Sequence, residues 1–247
     1  MNLGLSLPAR CLAEGLGAGL LVATVVGSGV AAERLSPGDV GLQLLESSTA
    51  TALALVALIS TFGPVSGAHL NPAVTVAERL AGKIDSRTTM AYVAAQVAGA
   101  CLGTMAANLM FELPAVEWSS TDRASLAHAF AEMVATFGLL VVISGVVHAG
   151  RATAVPLAVA GWIGAAYWFT SSTSFANPAV TMARTLSDSF AGIAPASVPG
   201  FIAAQLAGAV LAVACGRVLF PRPQPEPAPA PASNAERDVS LEEALDA

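Results

Sequence analysis

Two stretches decide how this chain folds: Asn71-Pro72-Ala73-Val74-Thr75-Val76-Ala77-Glu78-Arg79-Leu80 and Asn177-Pro178-Ala179-Val180-Thr181-Met182-Ala183-Arg184-Thr185-Leu186, which agree at seven of ten positions. Asparagine is a favoured N-cap, and proline at the next position has no N–H to leave unsatisfied and a pre-set helical φ. Each stretch therefore predicts a helix that begins at its proline. Both starts fall near the end of an uncharged run, 47–77 and 152–183, of 31 and 32 residues. A helical membrane span needs about 20 residues. Each run thus reads as one full span, a loop containing Gly and Ser, and a second apolar piece too short to cross. Non-helical backbone at membrane depth is tolerated only where protein buries it or it lines a wet cavity.

Working outward, uncharged runs at 15–32, 88–111, 133–150 and 189–216 supply four more spans. Composition agrees: of 247 residues 55% are hydrophobic and 11% charged, against roughly 25% charged in a soluble domain, and mean hydropathy is +0.67. Soluble classes are excluded. Nucleic acid is not an expected partner either, because the net charge is −6 and the 11 Lys and Arg are scattered singly. Cys11, Cys101 and Cys215 fall in apolar stretches without metal-binding spacing and read as packed thiols. The first span, with Arg10 before it and Gly29-Val30-Ala31 near its end, has the look of a signal peptide, but Glu14 and the repeat below argue that it is retained. With both termini cytoplasmic, eight Lys and Arg of the membrane region and tail face inward and three (Arg34, Arg123, Arg184) outward.

The halves echo each other in order. Glu14 answers to Glu132, Asn71 to Asn177, and Ala94-Ala95-Gln96-Val97-Ala98-Gly99-Ala100 to Ala203-Ala204-Gln205-Leu206-Ala207-Gly208-Ala209, at offsets of 118, 106 and 109 residues. Three spans per copy force the second copy to enter from the opposite face. The expected fold is an all-α membrane protein of six transmembrane helices plus two half-helices in an inverted repeat. Residues 1–220 form the membrane domain, with repeat one at about 10–112 and repeat two at about 124–220. Residues 221–247 form a Pro-rich, acidic cytoplasmic tail in which Ser240 and Glu243 have capping-box spacing.

The half-helices are expected to meet near the midplane, where the carboxamides of Asn71 and Asn177 can donate to a passing oxygen. Small residues at helical spacing (Gly15 and Gly19, Gly99 and Gly103, Ala204 and Gly208) allow close helix packing. Glu14 and Glu132 are expected to hold loop N–H groups rather than mark an ion path. No nucleophile–base pair, phosphate loop or metal-ligand cluster can be assembled, so neither an enzyme, nor a cofactor, nor a metal site is expected. His128 and His148 read as interfacial.

Ser66-Gly67-Ala68-His69-Leu70-Asn71-Pro72-Ala73-Val74-Thr75 resembles the first signature of the aquaporin and aquaglyceroporin family, and the second Asn-Pro-Ala and paired glutamates are similar too. The resemblance covers about residues 10–220. It implies a passive channel in each subunit of a membrane tetramer, in the inner membrane of a bacterium, passing water or small uncharged solutes. It also places His69 near the inner pore. The chain departs from the family where an arginine usually follows the second Asn-Pro-Ala: here stands Val180. Counting back from the asparagines, the family's other constriction positions are Thr51, Ala165 and Ser174. That set implies a wide, weakly polar, uncharged constriction, suited to glycerol-like polyols and to neutral metalloid hydroxides such as arsenite, with water passing incidentally. Arg184, a turn beyond Val180, is not expected to replace the missing charge. Tyr167, Trp168 and Phe169 precede the second loop and could fill space at the outer mouth, but are expected rather to anchor at the interface or pack the loop. A water-selective pore is the alternative reading. A coupled secondary transporter is disfavoured by the lack of a further midplane acid, and a closed junctional protein has only the tail in its favour.

Overall fold

A computed structural model describes residues 5–221. Its helices are α1 (Leu7–Leu35), α2 (Val40–Ser66), α3 (Pro72–Leu80), α4 (Ser86–Met110), α5 (Leu126–His148), α6 (Val155–Phe169), α7 (Pro178–Ala183) and α8 (Val198–Leu219), with short 3₁₀ turns at Ala152–Ala154, Arg184–Leu186 and Pro195–Ser197. Among the described residues six helical segments, all but α3 and α7, are long and apolar enough to cross a membrane. Both over-long runs break as their sequence demands. The first gives α2, a loop and α3; the second gives α6, a loop and α7. The tail, with Ser240 and Glu243, lies outside the described residues.

The packing repeats with the sequence. α1 lies against α2 and α4 as α5 lies against α6 and α8, while α3 reaches across to α8 and α7 to α4. Each short helix therefore sits against the last helix of the other repeat. Between α1 and α4 the backbones touch: a Cβ on Gly99 would collide with the backbone of Gly15, and one on Gly103 with that of Gly19. Gly208 of α8 makes the corresponding approach to α5, where a Cβ would lie 2.5 Å from the Met133 carbonyl oxygen. Any side chain at these positions would push the pairs apart.

Four span starts differ from the sequence expectation by seven residues or more. α1 begins eight residues before its uncharged run, α2 and α5 seven before theirs, and α8 nine after its own. Glu14 and Glu132 are thus not at the mouths of their helices but two turns inside, fully buried. A carboxylate survives there because hydrogen-bond donors surround it.

Candidate functional site

The two loops before the short helices are built alike. Ala68 and Leu70 in the first, and Ser174 and Ala176 in the second, have φ between 46° and 52°, a left-handed conformation that costs a non-glycine residue about 1 kcal/mol or more. That geometry aims consecutive backbone N–H groups at the buried carboxylates. His69 N and Leu70 N donate to the two oxygens of Glu14 at 2.9 and 2.7 Å, and Ser66 Oγ adds a third bond at 2.5 Å. Phe175 N and Ala176 N donate to Glu132 at 2.9 and 2.8 Å. Charge-assisted bonds of this kind offset the strain.

Gln96 and Gln205 complete each cluster. Gln96 Nε2 donates to Glu14 at 2.7 Å and to Thr75 Oγ1 at 3.0 Å; Gln205 Nε2 donates to Glu132 at 2.6 Å and to Thr181 Oγ1 at 2.8 Å. Sequence reasoning passed over both glutamines. The available signal was a fully polar side chain recurring at one place in two copies of an otherwise apolar heptapeptide.

The asparagines do two things at once. Asn71 Oδ1 accepts from Ala73 N at 2.8 Å, and Asn177 Oδ1 from Ala179 N at 3.0 Å and Val180 N at 3.3 Å, capping α3 and α7. Each carboxamide nitrogen then donates across the repeat: Asn71 Nδ2 to the Ala176 carbonyl at 2.7 Å, and Asn177 Nδ2 to the Leu70 carbonyl at 2.9 Å. Pro72, Ala73, Pro178 and Ala179 are buried in the first turns behind them. The helix starts face each other, joined by a reciprocal pair of bonds.

Alongside runs a cavity of about 910 Å³, lined by residues of both repeats. Asn71, Asn177, His69 and Val180 form part of its wall; Glu78, Lys83 and Thr153 lie toward one end, and Thr51, Tyr167, Ser174 and Arg184 toward the other. His69 Nδ1 is 3.1 Å from Thr75 Oγ1, and its ring stands edge-on to Tyr92. Thr51 Oγ1 shares a 3.1 Å hydrogen bond with the Tyr167 hydroxyl.

One expected wall residue is misplaced. Ala165 is on the exposed side of α6 and does not line the cavity; Val155, Val159, Ile163 and Tyr167 do. At about 100° per residue a spacing of four keeps one face, and Ala165 falls on the opposite one, two residues out of step. Tyr167 stands instead against Thr51, buried rather than anchoring at an interface, while Trp168 and Phe169 are exposed. The second revision concerns charge. Arg184 is 3% exposed and lines the cavity, its guanidinium carbon 3.4 Å from the centre of the Phe175 ring and its Nε donating to the Ala191 carbonyl. This end of the cavity is neither uncharged nor lined only by small side chains.

Comparison with known proteins agrees with this architecture. A family model described as the major intrinsic protein matches residues 5–174. The chain is also 50% identical over 210 residues to "Aquaglyceroporin AqpS" of Rhizobium meliloti (strain 1021), an alignment covering 85% of this chain and 89% of that protein. The chain belongs to the major intrinsic protein family. The chain is also 38% identical over 109 residues, 44% of this chain and 38% of that protein, to the "Glycerol uptake facilitator protein" of Escherichia coli (strain K12). Among solved members of the fold, the aquaglyceroporin from Plasmodium falciparum matches with a TM-score of 0.64 at 23% identity, covering 87% of this chain and 98% of that one. Six candidate spans and family membership make this a multi-pass membrane protein.

Proposed function

We propose that the protein is a passive channel for glycerol-like polyols and other small neutral solutes, with water passing through the same pore, and that it is not an enzyme. The observation that carries this reading is the cavity between the repeats, with a polar strip set in an otherwise apolar wall. The apolar side chains Val155, Val159 and Ile163 suit a carbon backbone; the asparagine carboxamides and the Thr51, Ser174 and Tyr167 hydroxyls suit a file of hydroxyl groups. Each Asn71 and Asn177 NH₂ spends one hydrogen across the repeat and retains a second for a passing oxygen. Trivalent metalloid hydroxides, neutral and hydroxyl-bearing, meet the same requirements.

In this reading Glu14 and Glu132 support the loops, His69 lies toward the inner side, and Thr51, Tyr167, Ser174, Val180 and Arg184 surround the outer constriction. Both termini are cytoplasmic, residues 1–220 are the channel domain, and 221–247 a cytoplasmic tail. The assembly is a homotetramer in a bacterial inner membrane.

Stopped-flow light scattering on proteoliposomes tests the reading. After a glycerol or arsenite challenge, reswelling much faster than in protein-free vesicles is expected, as is rapid shrinkage in an impermeant osmolyte. Fast water movement with no solute entry would overturn the assignment to neutral solutes.

A further inference from the structure

Position 180 sits where a charge would be expected and carries none, yet a buried cation lies one turn away. Val180 and Arg184 are four residues apart and share one face, and both line the cavity. A helical turn rises about 5.4 Å, and the chain runs from the central asparagines outward, so the charge is moved toward the outer mouth rather than lost. Among the described residues the ion pair present is Lys83–Glu78, and Arg184 is held by a carbonyl and an aromatic face instead of a carboxylate. Among the described residues its guanidinium makes no ion pair with a carboxylate, so its charge acts on whatever enters.

Two further observations point the same way. Arg123 approaches the same Phe175 ring, its guanidinium carbon 5.2 Å from the centre, and is tied to the Gly192 and Phe190 carbonyls at 2.9 and 3.3 Å. The 190–192 loop thus holds both arginines by main-chain oxygens. Ser174, 3% exposed, lines the cavity with an Oγ that has no partner in the protein. An orphaned buried hydroxyl is costly unless something else satisfies it, and a solute hydroxyl in the throat can.

We propose that Arg184 is the charged, specificity-determining residue of the outer constriction, supplying from one turn beyond residue 180 the cation that Val180 lacks. It donates N–H to solute oxygens opposite the Ser174 hydroxyl and repels cations at the mouth. The low-dielectric, mostly apolar wall of the throat focuses its field. This inference rests on the neutral-solute channel reading for the role of the site, and the test below reads the charge without needing glycerol to pass.

Full-length protein carrying Ser174→Cys, with Cys11, Cys101 and Cys215 replaced by serine, is reconstituted and treated from outside with anionic or cationic methanethiosulfonate reagents. Loss of water permeability reports modification, and each rate is normalised to that for a free thiol. The anionic reagent is expected to react faster by about tenfold or more. Arg184→Gln should abolish that preference and Arg184→Lys should keep it. With Ser174 left in place, Arg184→Gln should admit erythritol relative to water severalfold better than Arg184→Lys. Equal rates for both reagents with arginine present, or a preference unchanged by Arg184→Gln, would overturn the proposal. Should Arg184→Gln conduct no water, Arg123→Gln on the Ser174→Cys background takes its place. Retention of anion preference then supports Arg184 as the source, and its loss transfers the role to Arg123. Failure of glycerol entry in the unaltered protein would sink the channel reading while leaving the thiol comparison decisive for the charge.

Discussion

A carboxylate in the middle of a membrane helix is tolerated here because it never lacks donors. Glu14 accepts four hydrogen bonds and Glu132 three. Glu14→Gln would set an NH₂ against N–H donors, so we expect a loss of about 2–4 kcal/mol, read as a lower melting temperature in detergent. Glu132→Gln should lose less. An unchanged melting temperature for both would mean that the loops hold their left-handed residues without the acids. At the constriction, Val180→Arg would add a like charge one turn from Arg184 and narrow the mouth. Glycerol permeability should fall more than water permeability in proteoliposomes; equal loss of both would place residue 180 off the constriction. The acids were legible in the sequence because they recur in register, as were the asparagine caps. Tyr167 and Arg184 stood out as candidates, but the sequence weighed against both. Counting back from Asn177 at a fixed loop length selects Ala165, whereas the wall residue is fixed by the phase of α6, which depends on where that helix stops at Phe169. The reach of a long arginine side chain toward the cavity is likewise a property of the fold, not of its spacing.

Among the elements, the α1–α4 contact leaves least room. Gly103→Ala should cost about 2–3 kcal/mol by forcing the two backbones apart, seen as reduced yield of folded protein and a lower melting temperature. Ala106→Gly, on the same helix but away from the glycine seam, is the comparison: it should cost only the helix propensity difference of about 1 kcal/mol. Similar losses from the two would contradict the close approach. The element count and the break in each long run followed from length and capping alone. The ends of the spans did not, because an uncharged run stops at Glu14 or Glu132 whereas the helix continues through a charge that tertiary partners satisfy. Nor could the sequence show that each short helix leans on the other repeat's last helix, since that is a contact between segments far apart in the chain.

For the molecule as a whole, the inverted repeat brings the N-termini of α3 and α7 together. Their aligned peptide dipoles put partial positive charge where the two helix starts meet. Neutral solutes should then pass while protons mostly do not, even before the contribution of Arg184. An imposed pH gradient across proteoliposomes should decay slowly; decay as fast as with an added ionophore would refute the central barrier. The reciprocal asparagine bonds carry a further consequence. The same two side chains start both short helices and tie each to the opposite loop, so the waist cannot be widened without unmaking the fold. Variation in cargo must therefore arise elsewhere, at side chains such as those at 51, 167, 174, 180 and 184 that close no essential bond at the waist. A lineage built on this plan can trade one permeant for another by editing its rim while inheriting its middle intact.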